Sequence, residues 1–237
     1  SVSRGLGDVY KRQIEESNDI SKEEVNYFVN AYIESKNYSD EVKNEKFRKD
    51  IEYLVEIFKD AKEYGSILDV KNLNFVTLKE SINTMKNKII PSFQLSKHIL
   101  FEKILKLINQ GEILSGKYDA VITNPPYMGI RGLNDKLSSY LCENYPVSKY
   151  DMFSVYMEVC QRLAKENSFY SMITPHSWMF LSSFTALREK LIKEGNFINM
   201  IHLGARAFEE NVGTIVQNVA FIFRNGNVSS YKTKIID

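Results

Sequence analysis

The stretch Tyr118-Asp-Ala-Val-Ile-Thr-Asn-Pro-Pro-Tyr127 constrains the fold of this chain more tightly than any other. Ala120 to Thr123 is a short apolar run with β-branched residues, the pattern of a central parallel strand covered on both faces. Pro125 and Pro126 cannot donate to a sheet ladder, and they bias Asn124 away from helical geometry, so the strand must end there. A carboxamide, carbonyls without competing N–H groups and an aromatic ring are therefore held at the carboxyl end of a strand. In open α/β sheets that is where ligands bind.

The rest of the chain sets broader limits. Its 237 residues suffice for one sizeable domain, or for a core with a helical appendage. A formal net charge of +1 gives no strong footprint for nucleic acid or membrane, although a local basic groove stays compatible with it. Cys142 and Cys160 lack metal spacing and fit packing in a reducing cytosol. His98, His176 and His202 are scattered and form no ligand pattern, so no metal is expected. No apolar run is long enough to cross a bilayer and no signal peptide is visible, so a cytoplasmic location is expected.

Taken in order, Ser1 to Gln13 resembles translated adaptor sequence and is read as non-native. Its Gly5-Leu-Gly7 is no nucleotide loop, because no apolar strand precedes it. Residues 14–65 read as a helical segment. Ser21 and Glu24 make a capping box before the apolar face of Val25, Phe28, Val29, Tyr32 and Ile33. Phe47, Ile51, Leu54, Val55 and Phe58 repeat the spacing, and Gly65 is a stop. Ile67 to Val70 and Phe75-Val76 read as short extended segments, and helical spacing from Leu95 to Ile108 leads to Gly111. Beyond Tyr127 a loop runs to Asn134. An amphipathic helix begins at Asp151, and Ser168 to Thr174 reads as a buried strand closed by Pro175. A helix from Ser182 or Ser183 ends at Gly195, followed by strands Phe197–Leu203 and Ile215–Phe223. The order predicts an α/β fold, a doubly wound half-sheet that finishes with a hairpin.

The chemistry of Asn124-Pro125-Pro126-Tyr127 follows from its donors and acceptors. The Asn124 amide oxygen and the Pro125 carbonyl can both accept from one exocyclic amino group, which holds its nitrogen lone pair toward an electrophile. Orientation is the main lever and is worth roughly 7–11 kcal/mol. Tyr127 offers a flat face for the ring bearing the amine, worth about 1–3 kcal/mol per stacked base. A base inside a duplex reaches such a site only when flipped out, at a cost of a few kcal/mol.

Asn-Pro-Pro-Tyr at a strand end resembles the catalytic motif of S-adenosylmethionine-dependent amino-methyltransferases, chiefly the N6-adenine DNA methyltransferases. The resemblance covers roughly Ala61 to Asn225. Asn124-Pro-Pro-Tyr-Met-Gly129, Lys149-Tyr-Asp-Met-Phe-Ser-Val-Tyr-Met-Glu158, Met172-Ile-Thr-Pro-His-Ser-Trp-Met-Phe-Leu-Ser-Ser183, His202-Leu-Gly-Ala-Arg-Ala-Phe208 and Val216-Gln-Asn-Val-Ala-Phe221 occur in this order. Together they resemble the PglX-type methyltransferases of prokaryotic BREX phage-defence systems and the type IIG restriction-modification enzymes. The resemblance implies a partial Rossmann-like fold, mostly parallel with a terminal antiparallel hairpin, over residues 66–237. It also implies S-adenosyl-L-methionine as cofactor and double-stranded DNA as partner of the full-length protein, with other defence-system subunits as further partners. By the same resemblance, Asn124, Pro125 and Pro126 with Tyr127 form the catalytic motif and Tyr127 stacks on the base. Asp151 and Phe153 lie beside the cofactor, and Phe208 and Gly213 belong to a loop near the flipped base.

The chain departs from that family in two places. No glycine-rich loop after a first strand, and no acidic ribose-binding residue beyond it, precedes Asp119. The chain also ends just past its last expected strand, where the family continues into target-recognition sequence. An internal fragment that binds cofactor poorly is expected. Bland readings stand beside the functional ones: Asp151 as a helix cap, Trp178 as core, Arg131 and Lys136 as a solvated loop. The alternatives are the same site logic acting on adenine in RNA, cytosine N4 or a protein glutamine, and a non-catalytic binding fragment.

Overall fold

The computed structural model describes residues 13–36, 40–89, 95–204 and 217–236. It separates into two compact units, which meet in sequence between Ser115 and Gly116.

The first unit is helical: α1 (Lys22–Glu34), α2 (Glu41–Ile57), the single turn α3 (Ala61–Tyr64), α4 (Phe75–Ile89) and α5 (Leu95–Ser115). The expected capping box starts α1. The Ser21 hydroxyl accepts from the Glu24 N–H at 3.2 Å, and the Ser21 N–H donates to the Glu24 carboxylate at 2.8 Å. Asp40 caps α2 through the Lys43 N–H at 3.1 Å. Phe47 stacks on both Phe28 and Tyr32, with Tyr32 and Phe47 centroids 3.8 Å apart, and Ile51, Leu54, Phe101 and Ile104 complete the core around them. Each such burial is worth about 1.5–3 kcal/mol.

Two local expectations change here. Phe75 and Val76 are not extended; they open α4, because Asn74 caps it, its side chain accepting from the Thr77 N–H at 3.0 Å. Gly111 does not end a helix. It lies inside α5, where a β-carbon would stand 2.9 Å from Leu54 and 3.0 Å from Phe75, so the missing side chain is what lets neighbouring elements pack this closely.

The second unit holds β1 (Tyr118–Thr123), α6 (Asp135–Asn144), α7 (Met152–Leu163), β2 (Ala164–Pro175), α8 (Thr185–Glu194), β3 (Gly195–Gly204), β4 (Asn218–Asn225) and β5 (Lys234–Ile236). The sheet order is β1-β2-β4-β3-β5. β1 pairs parallel with β2 and β3 with β5, while β4 runs antiparallel to both β2 and β3. The fold is α/β with a mixed sheet. The hairpin of β3 and β4 is present, but β4 inserts between β2 and β3 instead of extending the edge. Neither α6 nor β5 has a counterpart in the sequence reading.

The core lies on one side of the sheet. Tyr170, Met172, Val219, Phe221, Phe223 and Met200 point toward Phe153, Met157 and Cys160 of α7 and Leu187 and Leu191 of α8. The crossovers β1–α7–β2 and β2–α8–β3 step in the same direction across the sheet, and a common handedness puts both helices on the same face. Among the described residues this half-sheet is therefore wound on one side, not two. β1 is likewise an edge strand, not a central covered one: Ile122 is 80% exposed, and Phe169 and Ile222 lie on the same open face. An unbroken apolar run is the mark of a strand suited to burial on both faces, and it does not reveal which neighbours are present.

Candidate active site

The parallel pairing of β1 with β2 brings two strand ends level. Thr123 pairs with Met172, so Asn124 emerges beside Ile173, just before Pro175 closes the second strand. Asn124 is exposed and Pro125 is buried, so the motif is anchored at its first proline and open at its carboxamide. Tyr127 folds back over this end. Its hydroxyl lies 3.2 Å from the Asn124 side-chain oxygen and 3.2 Å from the Ile173 carbonyl oxygen. Its ring meets Phe153 edge-on, at 6.4 Å and 88°, and stays 38% exposed. Partial burial raises the phenol above its ordinary range, so it remains a protonated donor at neutral pH.

The residues after the motif are fastened to the start of α7. Gly129 and Asp151 form an antiparallel bridge. The Met152 N–H donates to the Met128 carbonyl at 3.0 Å, and the Ile130 N–H to the Tyr150 carbonyl at 3.1 Å. One Asp151 carboxylate oxygen accepts from the Met128 N–H at 3.0 Å and from the Phe153 N–H at 3.3 Å, so this side chain both caps α7 and pins the loop. Burial raises the Asp151 carboxyl above its usual range, and the N–H bonds from Phe153, Met128 and Met152 oppose that rise.

The four motif residues, Asp151 and Phe153 thus gather at one end of β1. Asp151 caps α7 and holds the Met128 N–H. Phe153 is 2% exposed beneath Tyr127 and Phe184. No glycine-rich turn follows an apolar strand before Asp119 among the described residues. These residues do not by themselves build a holder for S-adenosylmethionine. Phe208 and Gly213 lie outside the described residues.

Trp178 is buried, stacked on Phe197 at 5.5 Å, with its indole N–H donating to Thr174 at 3.1 Å. Two histidines that look unrelated in sequence meet at the ends of β2 and β3, His176 Nδ1 lying 3.1 Å from His202 Nε2. Burial and then His202 lower the His176 pKa. No group of three or more potential metal-ligating side chains occurs among the described residues. What the sequence reading missed is the Ile173 carbonyl. Its signal was the pairing of β1, which Asn124-Pro125 follows, with β2, which ends at Pro175, and that pairing is not visible from either strand alone.

The model of the Eco57I restriction-modification methylase family matches residues 8–208. The chain belongs to this family. It is 38% identical over 176 residues to the adenine-specific methyltransferase BrxX of Escherichia coli O9:H4 (strain HS), covering 74% of this chain and 14% of that protein. It is 39% identical over 184 residues to the adenine-specific methyltransferase PglX of Lacticaseibacillus casei (strain Zhang), covering 73% of this chain and 15% of that protein. The chain therefore spans about one-seventh of the length of these relatives. Among solved structures it resembles a candidate class I S-adenosylmethionine-dependent methyltransferase of Listeria monocytogenes, with a TM-score of 0.41, 14% identity and coverage of 93% of this chain and 74% of that one.

Proposed function

We propose that the full-length protein carrying this sequence is a DNA methyltransferase that methylates the N6 amino group of a flipped-out adenine, with S-adenosyl-L-methionine as methyl donor, in phage defence or restriction-modification. The observation that carries the reading is the exposed Asn124 carboxamide, held at the mouth of β1 beside the Tyr127 ring, in a member of the Eco57I methylase family. The two relatives described above as adenine-specific methyltransferases support adenine over the other planar amines.

In this reading each residue has a defined task. Tyr127 stacks on the extruded base and contributes about 1–3 kcal/mol toward the cost of unstacking. Asn124 and the Pro125 carbonyl accept the two amino hydrogens and hold the nitrogen lone pair in line for transfer. Pro126 stiffens the turn between acceptor and ring, and Asp151 keeps the following loop from drifting. Phe208 and Gly213 are proposed to lie near the flipped base. Partners follow from the same reading: double-stranded DNA, and other subunits of the defence system. No described helix is long and apolar enough to cross a membrane, and a cytoplasmic location is part of the proposal.

The test is methyl transfer by the full-length protein from labelled donor to duplex DNA, with the modified nucleoside identified by mass. N6-methyladenine is expected; N4-methylcytosine, or label in RNA or protein alone, would overturn the reading. A second expectation concerns the isolated 237-residue chain. Calorimetric titration with S-adenosylmethionine should show no micromolar binding, because the residues near the motif build the base side of the site and not the donor side.

A further inference from the structure

The Tyr127 hydroxyl has one proton and two acceptor oxygens at equal distance, the Asn124 side-chain oxygen and the Ile173 carbonyl, each 3.2 Å away. It can donate to only one of them, which leaves the other as an unrelieved contact between lone pairs. A carboxamide is nearly symmetric in shape, so its orientation is set by the hydrogen bonds around it. Turning the Asn124 amide end for end resolves the conflict. Its NH2 then donates to the tyrosine oxygen, the tyrosine O–H donates to Ile173, and every partner is satisfied.

We infer that Tyr127 acts through its hydroxyl as the positioning residue for Asn124, relaying a hydrogen bond from the Ile173 carbonyl so that the carboxamide presents its oxygen to the substrate amine. The inference rests on the adenine-N6 reading above and deepens it. An amide in the opposite orientation would aim N–H at N–H, so the wrong orientation abolishes acceptance instead of weakening it. The Ile173 carbonyl suits the role because it is backbone, fixed by the pairing of β2 with both β1 and β4. The Tyr127 ring is fixed independently by its edge contact with Phe153. Ring and hydroxyl thus have separable tasks: the ring holds the base, and the hydroxyl decides which end of Asn124 the base meets.

The experiment is a double-mutant cycle in the full-length protein, with kcat and KM for duplex DNA measured beside the fluorescence of 2-aminopurine at the target position. Tyr127→Phe keeps the ring, so KM and the fluorescence change should stay within about two-fold of the native values. Its kcat should fall about ten-fold or more. In an Asn124→Asp background the carboxylate has two equivalent oxygens and no orientation to choose, so adding Tyr127→Phe should cost less than about two-fold in kcat. A native kcat for Tyr127→Phe, or an equal loss in both backgrounds, overturns the inference and leaves the adenine reading standing. Full methylation by Asn124→Ala overturns both.

Discussion

Replacing Asn124 with alanine in the full-length protein is expected to lower adenine methylation about a hundred- to thousand-fold while leaving the fold intact. The magnitude is that of removing one preorganised polar partner from a reacting group. Asn124 is exposed and lies beyond the last ladder position of β1, so it contributes little to the sheet it ends. The substitution leaves Pro125 buried, the Tyr127–Phe153 ring contact in place and the loop fastened through Asp151. Binding of the flipped base should weaken less than turnover, because the ring that stacks on it is unchanged. Thermal melting and circular dichroism would report the fold, and methyl incorporation would report the chemistry. Methylation within ten-fold of native, with the protein folded, would remove Asn124 from its assigned role.

The second large effect is structural and concerns Gly195→Ala. Gly195 begins β3 with extended backbone, so its conformation is open to any residue; what it lacks is room. A β-carbon there would stand 2.3 Å from the Arg224 carbonyl oxygen and 2.3 Å from the Phe223 ring. The first is backbone of the paired strand and the second is fully buried, so neither yields cheaply. The substitution must push β4 away from β3 at the point where Asn225 bonds the end of α7 and Gly226 bonds Glu194. Overpacking of this kind costs about 3 kcal/mol. The midpoint of chemical denaturation should fall accordingly, with the aromatic cluster of Trp178, Phe197, Phe221 and Phe223 loosening first. Gly129→Ala is the control: its β-carbon would sit 3.7 Å from Asp151, in ordinary contact, and should be close to neutral. A Gly195→Ala protein as stable as the native one would mean that the strands separate more easily than their packing indicates.

What the sequence revealed, and what it hid, divides along the range of the interactions involved. The stop at Asn124, the capping box of Ser21 and Glu24 and the cap at Asp151 are written in residues one to three positions apart, and all are legible. Phe75-Val76 misleads because a β-prone pair sits just after a capping asparagine, and the cap outweighs the pair. Gly111 misleads because a glycine that ends a helix and one that admits a neighbour look alike until the neighbour is known. The insertion of β4 between β2 and β3 depends on where a loop returns, and no residue of the strand announces it. At the site, the motif names its own acceptors and ring, but not the Ile173 carbonyl, 46 residues away, which reaches the Tyr127 hydroxyl only through strand pairing.

The bridge between Gly129 and Asp151 also bears on how this part of the molecule tolerates change. The Met128 N–H and the Asp151 carboxylate are 23 positions apart in the chain yet joined directly, and Ile130 with Tyr150 and Met152 with Met128 close the same neck. Everything between, including α6, forms a closed bight, held at that neck and also packed through the buried Leu141, Tyr145 and Ser148. Insertions in the bight's exposed turns are expected to leave Asn124 and Tyr127 in place, because the bonds at the neck take the strain. A change of length in the exposed part of this excursion is expected to disturb the reacting end of β1 least.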